Sequence, residues 1–371
     1  MKQNPKHSNA IAYLRQLCCS GLDKETVITE FLRAVQTVIP SGSNTFSGVD
    51  EKLNPTYHIA EFVVDELDEV TPLVLAGYLT PERLSLAAVW FRQQPVLSGW
   101  KLVDETFFMS DLYNLVYRRF DQHHALYAPV MVDGKPVGML GLHRSRQQKP
   151  FDAYEQVLLA RLLPYVAHAL RGGGNGTQYS DNGSLGMIVM DTQGTILYLT
   201  NEAKSLLALA CQPILSLDAR NQEDQVLSKL TQLCRDLQAI FQGKHAAPPS
   251  WCHTNDRGRF TFRASWLNRL NNEQDRLISM TIEHQEPLVL KILRALQCLP
   301  LSPVQKQVAV LLAQGVSNEK IGERLNIKLS TTKEHISKIF AKLNIYRREE
   351  LLPLLLALEK QSHYQTTRLV R

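Results

Sequence analysis

Between Leu301 and Leu343 the sequence is punctuated more tightly than anywhere else in the chain. Ser302, Pro303 and Gln305 supply an N-cap, a proline at the first helical position and the partner residue of an S-x-x-Q capping box. Val304, Val308, Leu311 and Leu312 then give that helix one apolar face, and Gly315 ends it by accepting a left-handed conformation. Ser317 caps a second, shorter helix with Glu319 at its positive end. Ile321 and Leu325 face inward, with Gly322 between them leaving room for a neighbour. Asn326 suits the next left-handed turn, and a third helix is expected from about Leu329 to Leu343. Two short helices, a tight turn and a third helix make a helix-turn-helix.

At about 100° per residue the third helix divides into faces. Thr332, Ile336, Ile339 and Leu343 form the stripe expected in the core. Opposite them stand Ser330, Glu334, Ser337 and Ala341, which are short enough for a helix lying in a groove. Lys333 edges that face on one side; Thr331, His335, Lys338 and Lys342 edge it on the other. In this pattern cations reach phosphates while short central side chains reach base edges. The charge distribution points the same way. Residues 291–371 hold 14 basic against 6 acidic side chains, whereas residues 1–290 hold 27 against 30. A basic terminal segment on a slightly acidic body suggests a polyanionic partner for the tail.

The run LSPVQKQVAVLLAQGVSNEKIGERLNIKLSTTKEHISKIFAKLNIYRREEL resembles the LuxR/GerE-type helix-turn-helix. The likeness rests on Leu301–Pro303, the A-x-G-x-S-N-x-x-I run from Ala313 to Ile321, the T-x-K-x-H of Thr331, Lys333 and His335, and Lys342-Leu343. It implies a four-helix DNA-binding domain that dimerises through its last helix, here Arg348 to about Glu359. It further implies a bacterial transcription regulator whose partners are double-stranded DNA, a second copy of the chain and RNA polymerase. The DNA-binding residues so expected are Ser330, Thr331, Lys333, Glu334, His335, Ser337, Lys338 and Lys342. Half-sites about one helical turn apart are the expectation for such a dimer. Three departures stand out. Val304-Gln305 replaces the family's Arg-Glu. Lys328 sits where a serine usually caps the third helix, at a cost of about 1 kcal/mol. Pro353 falls near the start of the last helix, where only the first turn tolerates it.

Upstream, Arg171-GGGNGTQYSDNGS contains five glycines and almost nothing apolar, the composition of a flexible linker. Its glycine spacing matches no phosphate-binding loop. Helices are expected over Ala10–Cys18, Lys24–Val38 and near Pro81–Gln94. Leu126–Val132 and Lys135–His143 read as strands joined by the hairpin dipeptide Asp133-Gly134, and an amphipathic helix follows Pro150-Phe151-Asp152. Hairpin, PFD step and closing helix resemble the C-terminal half of a GAF domain over about residues 120–171. That resemblance implies a sensory module, an antiparallel sheet with a small-ligand cup. Trp90, Trp100, Phe107, Phe108, Tyr113 and Tyr117 are candidates to line the cup, or else ordinary core. After the linker, strands Met187–Met190 and Ile196–Leu199 flank Asp191–Gly194. A helix from Asn201 carries Ala203, Leu206 and Leu207, and a late hairpin spans Phe260–Leu267 and Leu277–Glu283. This order resembles a PAS domain, without a cofactor signature; His253 reads as a surface residue. Glu286-Pro287 ends the segment, and Leu288–Leu299 reads as a helical connector.

The fold expected is therefore multidomain α+β. A GAF-like sensor (1–171), a Gly-rich linker (172–184), a PAS-like antiparallel α/β domain (185–286) and a connector helix (287–299) precede an all-α four-helix LuxR-type domain (300–371). The opening MKQNPKHSNA lacks the apolar core of a secretory signal. The longest apolar run, Leu351–Leu358, is far shorter than the ~20 residues of a membrane span. The six cysteines show no metal-ligand spacing and read as buried free thiols of a reducing cytoplasm. No Walker, HExxH, G-x-S-x-G or kinase motif is present, so neither enzyme activity nor a metal is expected. The acidic pair of a phosphoacceptor domain is also missing. Cytoplasmic location, control by a small molecule or a protein, and association with the nucleoid when on DNA complete the reading. The alternative is an interaction protein that sequesters a related regulator without itself reading DNA.

Overall fold

The computed structural model of the chain describes residues 5–61, 74, 77–99, 102, 105–171, 177–180, 183–211, 215–216, 222–269 and 272–368. The first unit contains helices α1 (Pro5–Cys18) and α2 (Lys24–Ala34), strands β1 (Gly42–Val49) and β2 (Pro55–Ala60), and helix α3 (Pro81–Gln93). A short strand β3 (Leu97–Ser98), the hairpin β4 (His124–Val132) and β5 (Lys135–Arg144), and helix α4 (Ala153–Arg171) complete it. The hairpin turns where expected: Asp133 and Gly134 sit at φ 50° and 78°, the left-handed pair that a type I′ turn requires. The sheet runs β3-β4-β5-β1-β2, all antiparallel. Alternation along each strand sends Phe46, Leu126, Ala128, Leu140 and Leu142 to one core beneath α1, α2 and α4. The PFD step locks α4 to the hairpin. Arg144 lies over the Phe151 ring at 4.0 Å and pairs with Glu155, and Asp152 and Glu155 cap each other's backbone amides at 2.9 Å.

The second unit is a five-stranded antiparallel sheet in the order β7-β6-β11-β10-β9. Its elements are β6 (Ser184–Met190), β7 (Ile196–Leu199), helix α5 (Asn201–Cys211), a two-residue strand β8 (Leu215–Ser216), helix α6 (Gln222–Phe241), β9 (Ser250–Asn255), β10 (Gly258–Arg269) and β11 (Asn272–Gln285). Ile188, Leu206, Leu230, Phe260, Phe262 and Ile282 build its core between the sheet and the two helices. Strand β8 leaves this unit and pairs with β2, Ser216 opposite Tyr57, as a sixth strand on the first sheet. The turn between β9 and β10 also inserts into the first unit, where Thr29 Oγ1 donates to Asp256 Oδ2 at 2.8 Å. The units therefore share two seams.

Two expectations fail in this region. Cys18 and Cys234 are buried, but Cys19, Cys252 and Cys298 are exposed, because they fall past a helix end, on an edge strand and at the end of the connector. His253 is half-buried rather than a surface residue, with its Nε2 at 3.2 Å from the Ala210 carbonyl.

The connector, α7 (Leu288–Gln297), belongs to two cores at once. Val289, Leu290 and Leu293 pack into the first unit, while Ile292, Ala295 and Leu296 pack into the third. That third unit is α8 (Pro303–Ala313), α9 (Asn318–Leu325), α10 (Leu329–Leu343) and α11 (Leu351–Arg368). Pro353 is the third residue of α11 and so lies in the first turn, where its missing N–H has no intrahelical partner to lose. Helix α11 runs on past Glu359, and its stripe Leu351, Leu355 and Glu359 is buried toward α7.

Arg294 of α7 holds this junction. Its Nη2 lies 2.8 Å from Glu30 of α2, its Nη1 2.6 Å from Glu286 and 3.8 Å from Glu359 of α11. Tyr13 of α1 donates to the same Glu30 at 2.7 Å. Burial pushes the Glu286 carboxyl up, but the Arg294 guanidinium beside it outweighs that and holds it down to about 2. Replacing Arg294 by Met leaves the buried Glu30 without its ion-pair partner and the half-buried Glu286 with only Lys291, 3.9 Å away. The expected loss is about 3–5 kcal/mol of stability, read as a lower urea midpoint, whereas an unchanged midpoint would show that the junction contributes little.

Candidate nucleic-acid interface

The capping signals operate in the third unit as read. Ser302 Oγ accepts from the Gln305 amide, and Gln305 returns a bond to the Ser302 amide at 3.0 Å. Gly315 sits at φ 82°, Ser317 caps α9, and Asn326 closes it at φ 52°. Gly322 is required by close approach: a Cβ there would lie 2.9 Å from the Ile327 carbonyl oxygen and 3.3 Å from Thr332 Oγ1. Any larger side chain would push α9 off the start of α10. Lys328 is the N-cap of α10 and makes no side-chain cap bond. The carbonyl end of α8 is closed by Arg348, whose Nη2 donates to Leu312 O at 3.0 Å and Val316 O at 2.6 Å.

Helix α10 presents the faces its spacing implies. Thr332 and Ile339 are fully buried, and Ile336 and Leu343 are half-buried against the same core. Ser330, Lys333, Glu334, Ser337, Lys338 and Ala341 are exposed together on the outer face. Thr331 and His335 are half-buried at its edge. Lys338 and Glu334 form an i,i+4 pair at 2.5 Å with both side chains more than half exposed, a pair that contributes only a few tenths of a kcal/mol and is readily exchanged. Lys342 is exposed as well. Its ammonium donates to Pro300 O at 2.9 Å and Gln305 Oε1 at 3.0 Å, which ties the end of α10 to the start of α8. Sequence spacing did not point to Tyr346, 83% exposed, which borders a hollow beside α10 together with Asn318, Lys333 and Ser337. Its only signal in the sequence is an aromatic residue just beyond the αL residue Asn344.

In the first unit the sheet face opposite α1, α2 and α4 carries a polar aromatic cluster. Phe107, Phe108, Tyr113 and Tyr117 pack edge to face. Tyr117 and Tyr127 share a hydroxyl contact at 2.9 Å, and Tyr113 meets His123 Nδ1 at 2.7 Å. His143 Nδ1 lies 3.0 Å from Ser43 O, and His58 Nδ1 lies 2.8 Å from Ser47 Oγ. Burial pushes both imidazoles down, to about 4. Of the other cup candidates, Trp90 stands on α3 and is 38% exposed, and Trp100 lies outside the described residues. Among the described residues no group of His, Cys, Asp and Glu is placed to hold a metal ion. No described helix is long and apolar enough to cross a membrane.

Residues 299–354 match the family model of bacterial regulatory proteins of the luxR family (GerE), and residues 57–170 match that of the GAF domain. The chain thus carries a LuxR-family helix-turn-helix domain behind a GAF domain, and the GAF match begins well before the hairpin that first suggested it. No curated protein matches the chain. Among solved structures, the VqsR ligand-binding domain of Pseudomonas aeruginosa is 15% identical, covering 43% of this chain and 93% of its own, at a TM-score of 0.32. A VqmA–ligand–DNA complex of Vibrio cholerae is 14% identical, covering 57% and 89%, at 0.24.

The two desolvated histidines, His143 buried and His58 half-buried, give a pH prediction. Both are neutral in the folded state and take up a proton near 6.5 when unfolded. Their contribution is complete above pH 6.5 and is lost progressively as pH falls toward about 4. Urea midpoints measured across that window should decline in the native chain and decline less in a His58→Gln, His143→Gln variant. Parallel declines would assign the effect to other groups.

Proposed function

We propose that the chain is a transcription regulator in which α10 enters the major groove of DNA and the upstream units set its activity in response to a signal. The observation that carries this reading is the outer face of α10, where Ser330, Lys333, Glu334, Ser337, Lys338 and Ala341 stand exposed within a LuxR-family domain. Lys333 and Lys338 reach phosphates on either side of the groove, and the short side chains between them approach base edges. Thr331 and His335 support the rim. Lys342 acts chiefly within the domain, through Pro300 and Gln305.

The sheet order of the second unit, with its first two strands at one end and the last three following in reverse, supports a PAS-like sensory or dimerising module. The polar aromatic cluster on the GAF sheet supports reception of a small molecule, with a protein signal as the other source of control. The regulator acts as a cytoplasmic homodimer, bound to the nucleoid when on DNA and in contact with RNA polymerase, and it catalyses no reaction. Because the buried stripe of α11 already packs on α7, a dimer built on this helix uses its other side or releases it from α7.

Binding of the full chain to genomic fragments over a salt series tests the reading. A steep fall of affinity with salt is expected. Lys333→Ala and Lys338→Ala should each lower the slope of log K against log salt by about 1, and Lys342→Ala should leave the slope unchanged while lowering the urea midpoint. A flat salt response, or a slope indifferent to Lys333 and Lys338, contradicts it.

A further inference from the structure

A crevice of about 840 Å³ opens where the first and third units meet. Its walls come from α1, α4, α7, α8 and α9, and its size is that of a small-molecule site. Leu158, Leu293 and Val310 give it an apolar floor, and Gln16, Gln307 and Gln314 add neutral polar groups to its lining. Val157 on its rim is 51% exposed. Every charged residue in the lining is an arginine: Arg15 of α1, Arg161 of α4 and Arg324 of α9. No Asp or Glu lines it, and among the described residues none of the three arginines takes part in an ion pair. Arg15 is instead held over the Tyr165 ring at 5.2 Å, which keeps its guanidinium at the wall.

Three arginines with no acidic residue among the lining give a largely apolar cleft a positive potential. An apolar ligand would leave that positive charge without a counter-charge, and a hydrophilic anion would leave the apolar floor wet. A molecule with both parts satisfies both. We propose that this crevice binds a small amphiphilic organic anion, an aliphatic or aryl body seated on the apolar floor with a carboxylate or sulfonate among the three guanidinium groups. The occupant touches the sensor helices α1 and α4 and the helix-turn-helix elements α8 and α9 together. It therefore stabilises that one packing of the two units, by its binding free energy, over any arrangement in which they separate. The site stands apart from the aromatic cluster on the GAF sheet and does not depend on the DNA reading.

The test titrates the full chain with two fluorescent probes of similar shape, anilinonaphthalene sulfonate and the uncharged N-phenylnaphthylamine, with decanoate as competitor. The sulfonate should saturate one site per chain, bind about tenfold or more tighter than the neutral probe, and be displaced by decanoate. An Arg161→Met, Arg324→Met variant should lose about tenfold in sulfonate affinity while keeping its affinity for the neutral probe. Both side chains are exposed, and circular dichroism of the variant verifies that it folds. Equal binding of the two probes, or sulfonate affinity indifferent to the two arginines, overturns the proposal. So does sulfonate binding that disappears as the chain self-associates, because a second copy would then be the occupant.

Discussion

One guanidinium, that of Arg294, meets carboxylates from three parts of the chain. Glu30 comes from the first unit, Glu286 from the end of the second and Glu359 from the last helix of the third. A buried ion cluster of this kind adds little net stability relative to well-packed apolar side chains, because each charge gives up its hydration. It adds selectivity instead. The carboxylates are satisfied only when α2, α7 and α11 stand in this arrangement, and any other arrangement leaves some of them buried without a cation. Helix α7 reinforces the constraint by giving one apolar face to the sensor core and another to the helix-turn-helix core. The third unit is thereby docked on the first.

This docking has a functional corollary. The outer face of α10 is exposed in this arrangement, so the docked state does not bury the surface proposed to meet DNA. What it engages is α11, whose Leu351 and Leu355 face α7.

Legibility in the sequence followed the range of the interactions. The helix-turn-helix was readable almost residue by residue because its boundaries are set locally, by Ser302 and Gln305, Gly315, Ser317 and Asn326. The hairpin at Asp133-Gly134 was readable for the same reason. Strands β1 and β2 escaped notice because GSNTFSGV and PTYHIA are rich in polar and small residues. Strand β1 is held by pairing with β5, far along the chain, and β2 by the short hairpin it forms with β1. Helix α6 was not among the expected elements, although Val226, Leu230, Leu233, Cys234 and Leu237 carry a helical period and all face the core. The bonds of Lys342 to Pro300 and Gln305 and the Arg294 cluster had no sequence signature, because each joins residues that only the tertiary fold brings together. The exposure of three cysteines likewise follows from element ends and edges rather than from composition.

Hydrogen exchange of the full chain measures the docking directly. If α7 is the shared spine, the amides of Leu288–Gln297 and of residues 351–359 should exchange slowly and as one unit with those of α1 and α2. Rapid exchange over residues 351–359 while α1 and α2 remain protected would show that the third unit swings free of the first, and would contradict the account.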